Sequence, residues 1–240
     1  MGWRVGVVLT VLIVIGGGCA MAGDWRTASR ESAGIAPDPA ETREAVVQVY
    51  AARTWGWRGN FAVHTWIAVK PTDAPAFTVY EVIGWRAYHG LSALAVHNRP
   101  ADGRWFGAEP EILFDLRGPE VDAVIQRIDA AARSYPFADS YRVWPGPNSN
   151  TFTAHVVRAV PELTVDLPPT AIGKDYLTDG ILAWTPSGTG FQMSVFGLVG
   201  LIVGLREGLE INVLGLVFGI DPDDLAVKLP MVGRVGLAGR

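Results

Sequence analysis

The chain has 240 residues, 49% of them apolar, which places it outside the disordered class and gives it enough length for one substantial core or two small ones. Its 20 basic and 24 acidic residues leave a formal net charge of -4, and the basic ones are scattered singly, so no cationic stripe is laid out for a phosphate backbone and nucleic acid is not expected as a partner. Cys19 is the single cysteine and the four histidines, His64, His89, His97 and His155, stand far apart; a disulfide and a thiol nucleophile in the body of the protein are excluded, and neither a metal site nor a cofactor is expected.

Residues 1–22 read as an export signal or membrane anchor: Arg4 precedes an apolar run from Val5 to Ile15, small residues follow, and Ala20 and Ala22 form a cleavage-type pair. Cys19 follows three glycines, a partial lipobox, so release, lipidation and retention all stay open. This leader predicts a cell-envelope location, membrane-anchored or periplasmic. Residues 23–44 are polar and rich in alanine and proline, the composition of a linker.

The folded body is expected from residue 45, with a first unit over 45–165 and an apolar extension over 166–240. VVQVYAAR (46–53), FAVHTWIAVK (61–70) and FTVYEVIGW (77–85) are β-branched, alternating runs, and the last two predict a hairpin. After a weaker, Gly- and Pro-containing stretch, EILFDLR (111–117) predicts another strand. Pro119 then opens a helix to about Ser134, with Val121, Val124, Ile125 and Ile128 on one face. YRVW (141–144) is a short strand candidate. A second helix is predicted from about Asn150 to Val160, stopped by Pro161. The region GFQMSVFGLVGLIVGLREGLEINVLGLVFGIDPDD is strongly apolar with recurring glycine. Val195 to Leu205 is only about 11 residues, short of the ~20 that a helix needs to cross a bilayer, so β-hairpins turning at Gly204–Gly208 are expected, with membrane contact through residues 191–220 as the alternative.

The stretch PGPNSNTF (145–152) concentrates capping residues before the second helix. Asn, Ser and Thr oxygens accept bonds from the free N–H groups of a first helical turn, and capping alone is a sufficient reason for them. The same position also suits a nucleophile or an oxyanion, which makes Ser149 a candidate. His64 on a strand followed much later by N-S-N-T-F at a helix start resembles the circularly permuted papain-like fold of the NlpC/P60 superfamily, including the PPPDE peptidases. That resemblance covers about residues 45–160. It implies an α+β fold of antiparallel strands, with His64 matching the family's general base and Ser149 its cysteine nucleophile, flanked by Asn148 and Asn150.

A serine in place of the thiol needs His64 within about 3 Å and a third group to hold the imidazole. If Lys70 pairs with Phe77 in the hairpin, Trp66 opposes Glu81, and Glu81 lies one diagonal step from His64 on the same face; a one-residue slip would offer Tyr80 instead. Trp57, Trp85 and Trp144 are candidate binding aromatics. His155, six residues after Ser149, does not share its face. Across the chain, ASRESAGIAPDP, VYAARTWGWRG, AVHTWIAVKP, WPGPNSNTF, PPTAIGKDYL and GLEINVLGLVFGIDP also resemble an uncharacterised bacterial envelope family, domain of unknown function 3750, which implies no known activity. Three functions therefore stand open: a serine-variant hydrolase acting on an amide or ester; a degenerate relative that binds peptide, glycan or lipid; and a membrane or scaffolding protein working through its C-terminal region.

Overall fold

The computed structural model describes residues 24–236, so the leader and its expected processing lie outside the described residues. The chain builds a mixed fold of two antiparallel sheets and few helices. In the first sheet β1 (Val46–Arg53) lies between β2 (Val63–Lys70) and β5 (Pro110–Arg117), while β3 (Thr78–Val82) and β4 (Leu94–Asn98) continue beyond β2, giving the order β4-β3-β2-β1-β5. Both faces of β1 and β2 are covered, so the polar residues that interrupt their apolar ones, Gln48, His64, Thr65 and Lys70, are buried as well.

On one face Val47, Val49, Ala51, Val63, Ile67 and Val69 pack against α2 (Val121–Arg133) and α3 (Ser149–Ala159). The apolar stripe of α2, Val121, Val124, Ile125 and Ile128, is buried there as its spacing predicts. Leu163, Val165, Leu167 and Ala171, which follow α3, join the same core. On the opposite face Val46, Tyr50, Ala52, Trp66, Ala68, Phe77 and Val79 form a second core, closed by Ala101, Trp105 and Ala108 from the loop before β5. The indole N–H of Trp66 donates to the Ala101 carbonyl at 2.7 Å, and its ring stacks on Tyr50 with centroids 5.4 Å apart.

Three local expectations are corrected. The strand expected to run through Trp85 ends at Val82, and Gly84–Tyr88 forms the short helix α1. The Tyr141 ring lies where a side chain on Gly84 would have to sit, 2.5 Å from an added Cβ, so a residue without one is needed there. β4 lies in the stretch that showed no period, because an edge strand with one buried residue leaves little pattern. Residues 141–144 form no strand; the Arg142 amide instead closes onto the Pro147 carbonyl at 2.7 Å.

The second sheet is a meander of β6 (Leu182–Trp184), β7 (Gly190–Val195), β8 (Val199–Gly204), β9 (Gly208–Val213), β10 (Leu216–Asp221), β11 (Ala226–Leu229) and β12 (Gly233–Gly236). The turn between Gly204 and Gly208 that the sequence predicts joins β8 to β9. Among the described residues no helix is long and apolar enough to cross a membrane.

Candidate functional site

The β2–β3 hairpin pairs Ile67 with Tyr80 and Val69 with Thr78, which is the register that sets Lys70 against Phe77. Glu81 therefore reaches His64: the imidazole Nε2 lies 2.9 Å from Oε2 of Glu81. The other carboxylate oxygen takes His97 Nε2 at 2.8 Å and Arg99 Nε at 3.0 Å, and Arg99 also lies over the Trp66 ring. Trp105 stacks on His64 with centroids 3.6 Å apart and planes 7° from parallel. Tyr80, the alternative orienting residue, points to the other face and donates to Asp129 at 3.2 Å.

The electrostatics of this cluster follow from its burial. Desolvation pushes the Glu81 carboxyl up, but hydrogen bonds from His64 and His97 and the charge of Arg99 outweigh it and hold the group well below the usual carboxylate range. For His64 desolvation is the larger influence and wins over Glu81, so its pKa is lowered. At neutral pH a neutral imidazole donates Nε2–H to a charged carboxylate. His97, Arg99 and Trp105 complete the network and were not singled out from the sequence. Their signal is weak because they lie on β4 and in a loop 16 to 24 residues from Glu81 and 33 to 41 from His64, and only strand pairing joins them.

Ser149 lies elsewhere. Successive residues of a strand point to opposite faces, and it is Thr65, not His64, that meets α3: its hydroxyl is 2.9 Å from both Asn150 Oδ1 and Thr153 Oγ1. His64 shares the Trp66 face, on the far side of the sheet. The pairing of Ser149 with His64 implied by the papain-like resemblance is thus not made, because the sheet itself separates them.

The helix start has a different employment for its polar residues. Asn148 is the N-cap: its Oδ1 accepts from the amides of Asn150 at 2.9 Å and Thr151 at 3.2 Å, and Thr151 Oγ1 accepts from the Asn148 amide at 3.1 Å, closing a capping box. Asn148 Nδ2 donates to the carbonyls of Val143 and Ile172. Asn150 Nδ2 bridges Val63 and Ile172, and Thr151 Oγ1 donates to Gly173 at 2.8 Å. Among the described residues the Ser149 hydroxyl has no hydrogen-bond partner, although the residue is buried. Three of the four cap-type residues weld α3 to β2 and to residues 172–173, and Ser149 is the one left over.

Of the aromatic candidates, Trp57, Trp85 and Trp144 are all more than half exposed. Tyr88 of α1 meets Tyr141 edge-on, and the Trp144 indole donates to the Leu214 carbonyl at 2.9 Å, tying the loop before α3 to a turn of the second sheet.

That second sheet has inverted polarity. The face turned toward the first unit carries Gln192, Glu210, Asn212 and Lys228, all buried. Glu210 accepts from Lys174 at 2.5 Å and from Lys228 at 2.6 Å, Lys228 also reaches Asp166 at 2.8 Å, and Asp175 accepts from Lys174, Gln192 and Asn212. Gly219 stands between Glu210 and Lys228 in the sheet, and a side chain there would press on the Leu209 carbonyl at 2.7 Å. Burial pushes Asp166 up to about 6, and pushes Arg158, whose Nη2 donates to Gln192, down to about 10.

The opposite face is apolar throughout. One row across the sheet reads Phe191, Val203, Leu209, Ile220, Val227 and Val235, all exposed. The strand ends differ as well. The turns after β7, β9 and β11 carry Phe196, Leu214, Met231 and Val232, whereas those after β6, β8 and β10 mix Ser187, Arg206, Glu207, Asp223 and Asp224 with the exposed Leu205 and Leu225. Phe196 and Leu214 hold φ near 51° and 55°, a region bulky side chains rarely adopt.

Fold and site define the class as an α+β protein with a helix-covered antiparallel sheet and an appended, inside-out meander. The model of the family described as protein of unknown function (DUF3750) matches residues 44–176, more than half of the chain, and the chain belongs to that family. The match covers the first sheet, both long helices and Lys174–Asp175, and stops before the meander. No curated protein and no solved structure matches the chain.

Proposed function

We propose that this protein is a non-catalytic, membrane-associated binding or scaffolding protein whose second sheet seats on a lipid surface. The observation that carries the reading is the inversion of that sheet, with ion pairs inside and a continuous apolar face outside. Proteins that stay in water rarely leave contiguous apolar patches larger than a few hundred Å². More than a dozen half-exposed aliphatic and aromatic side chains on this face amount to on the order of 1,000 Å², the scale of a stable interface. Apolar-out, polar-in alternation is also the pattern of strands in contact with lipid.

A bilayer suits the strand ends better than a second copy does. One set of turns is apolar and the other sets Arg206, Asp223 and Asp224 beside Leu205 and Leu225, so the charged groups gather at one end of roughly 20 Å of strand. Trp144, more than half exposed beside the Leu214 turn and with its indole N–H bonded to the Leu214 carbonyl, adds an aromatic ring to that apolar end. The strands, at six residues or fewer, are shorter than the ~9 to 11 needed to cross, so the sheet lies on or dips into one leaflet. A hydrolase using Ser149 and His64 would need the two in contact, and the first sheet lies between them.

Flotation with phosphatidylethanolamine–phosphatidylglycerol vesicles tests the proposal. A chain beginning at residue 24, free of the leader, is expected to float. An Ile211→Lys, Phe218→Lys double variant with unchanged circular dichroism is expected to lose at least tenfold in bound fraction. Failure of the parent chain to float, together with a concentration-dependent dimer in sedimentation, would assign the face to a second copy instead.

A further inference from the structure

A cleft of about 710 Å³ opens between the two sheets, on the side away from the apolar face. One wall is β5 and the other is formed by β11 and β12, with Arg53 and Thr170 at its floor. β5 is the edge of the first sheet and β12 the edge of the second, so each presents its outer main-chain groups without a strand partner among the described residues. Such an edge is a template for another strand unless something blunts it. Charges stand toward the ends of β5, at Glu111, Asp115 and Arg117, but its middle, Ile112-Leu113-Phe114, is apolar and half-buried.

The charges in the cleft are not equally satisfied. Asp115 is held by Gln48 and Arg117, Glu109 by Arg104, and Lys228 by Asp166 and Glu210. Glu111 is exposed at the lip of the cleft and has no hydrogen bond or ion pair among the described residues, while the nearby Arg53 donates to the carbonyls of Gly59, Met231 and Val232. Its carboxylate is therefore available to pair with an incoming cation.

We propose that the cleft binds an extended segment of another polypeptide, which adds as a strand to the free edge of β5 and sets a lysine or arginine against Glu111. Main-chain bonds along β5 supply the affinity, and alternate side chains of the ligand enter the cleft or face water. The charged residues at the ends of β5 fix the register of the added strand. About five residues match the usual length of a strand and span roughly 17 Å, within the reach of β5.

The test starts from the full chain purified in detergent and panned with a random heptapeptide library. Recovered peptides are expected to alternate apolar and polar residues, to share a lysine or arginine, and to slow amide exchange over residues 111–116 when bound. Glu111→Gln is expected to weaken them about tenfold, the scale of one charge-assisted hydrogen bond. N-methylation of alternate peptide amides is expected to abolish binding. The proposal is overturned if no peptide is enriched, if the enriched peptides are indifferent to Glu111→Gln and to N-methylation, or if their protection falls on β7–β10 instead of β5.

Discussion

The two sheets solve the same burial problem with opposite chemistry. The first, around β1 and β2, hides valine, isoleucine and alanine on one face and Tyr50 and Trp66 on the other; His64, His97 and Arg99 meet at Glu81, and the buried Lys70 donates to the Pro71 carbonyl. The second hides Glu210, Lys174, Lys228 and Asp175 and leaves phenylalanine, isoleucine and leucine outside. Removing apolar area from water stabilises the first sheet directly, at roughly 25 cal/mol per Å². Nothing comparable is gained by the second while its outer face stays wet. The difference teaches that apolar burial holds the first sheet together, whereas buried ion pairs tie the second to it.

The contrast is broken most severely at Glu210. Glu210→Ala leaves Lys174 and Lys228 buried without their shared carboxylate, and a loss of about 3 to 5 kcal/mol is expected, with hydrogen exchange rising first over residues 182–236. A loss below about 1 kcal/mol in urea titration would mean that the ion pairs do not hold the meander in place. In the first sheet Ile67→Ala is expected to cost about 3 kcal/mol through a cavity under α2 and α3, and to leave vesicle flotation of the surviving folded protein unchanged.

Smaller effects sharpen the reading of the helix start. Asn148→Ala removes the cap of α3 and two further bonds, and a loss of about 1 to 2 kcal/mol is expected in thermal melts. Ser149→Ala is expected to stay within about 0.5 kcal/mol, since its hydroxyl bonds to nothing described. If a fluorophosphonate probe labels the parent chain and this variant abolishes the labelling, the non-catalytic proposal fails.

The pH dependence should be the mildest, because its contributions have opposite signs. Burial lowers His64, so its share of stability is present above about pH 6.5 and is lost on acidification. Glu81 is held low by its partners, so its share persists to lower pH and disappears below the ordinary carboxylate range. Asp166, raised to about 6 by burial, destabilises the fold when ionised, so its contribution improves as pH falls through 6. The melting temperature should therefore change little between pH 7 and 5.5 in the parent chain, and Asp166→Asn should make the acid-side loss steeper.

Much of this was legible in the sequence for identifiable reasons. Alternation located β1, β2 and β5, and a 3.6-residue period with Pro119 located α2. The hairpin register brought Glu81 to His64 because Pro71 to Ala76 left few ways to turn. The recurring glycines of residues 190–219 marked hairpins. His97, Arg99 and Trp105 were illegible, since an edge strand and a loop carry no period. So was the inversion of the second sheet: alternation announces two faces and says nothing of which one the rest of the protein will cover.

The sequence by itself determined most of the elements and the β2–β3 hairpin, because capping, alternation and helical period are local properties of a chain. Only the tertiary structure decided the faces. Thr65 and not His64 meets α3, and Glu210 and not Ile211 turns inward, because strand twist and the docking of residues 158–176 select which of two alternating sets is buried. That choice separates Ser149 from His64 and turns a glycine-rich meander into an exposed apolar face.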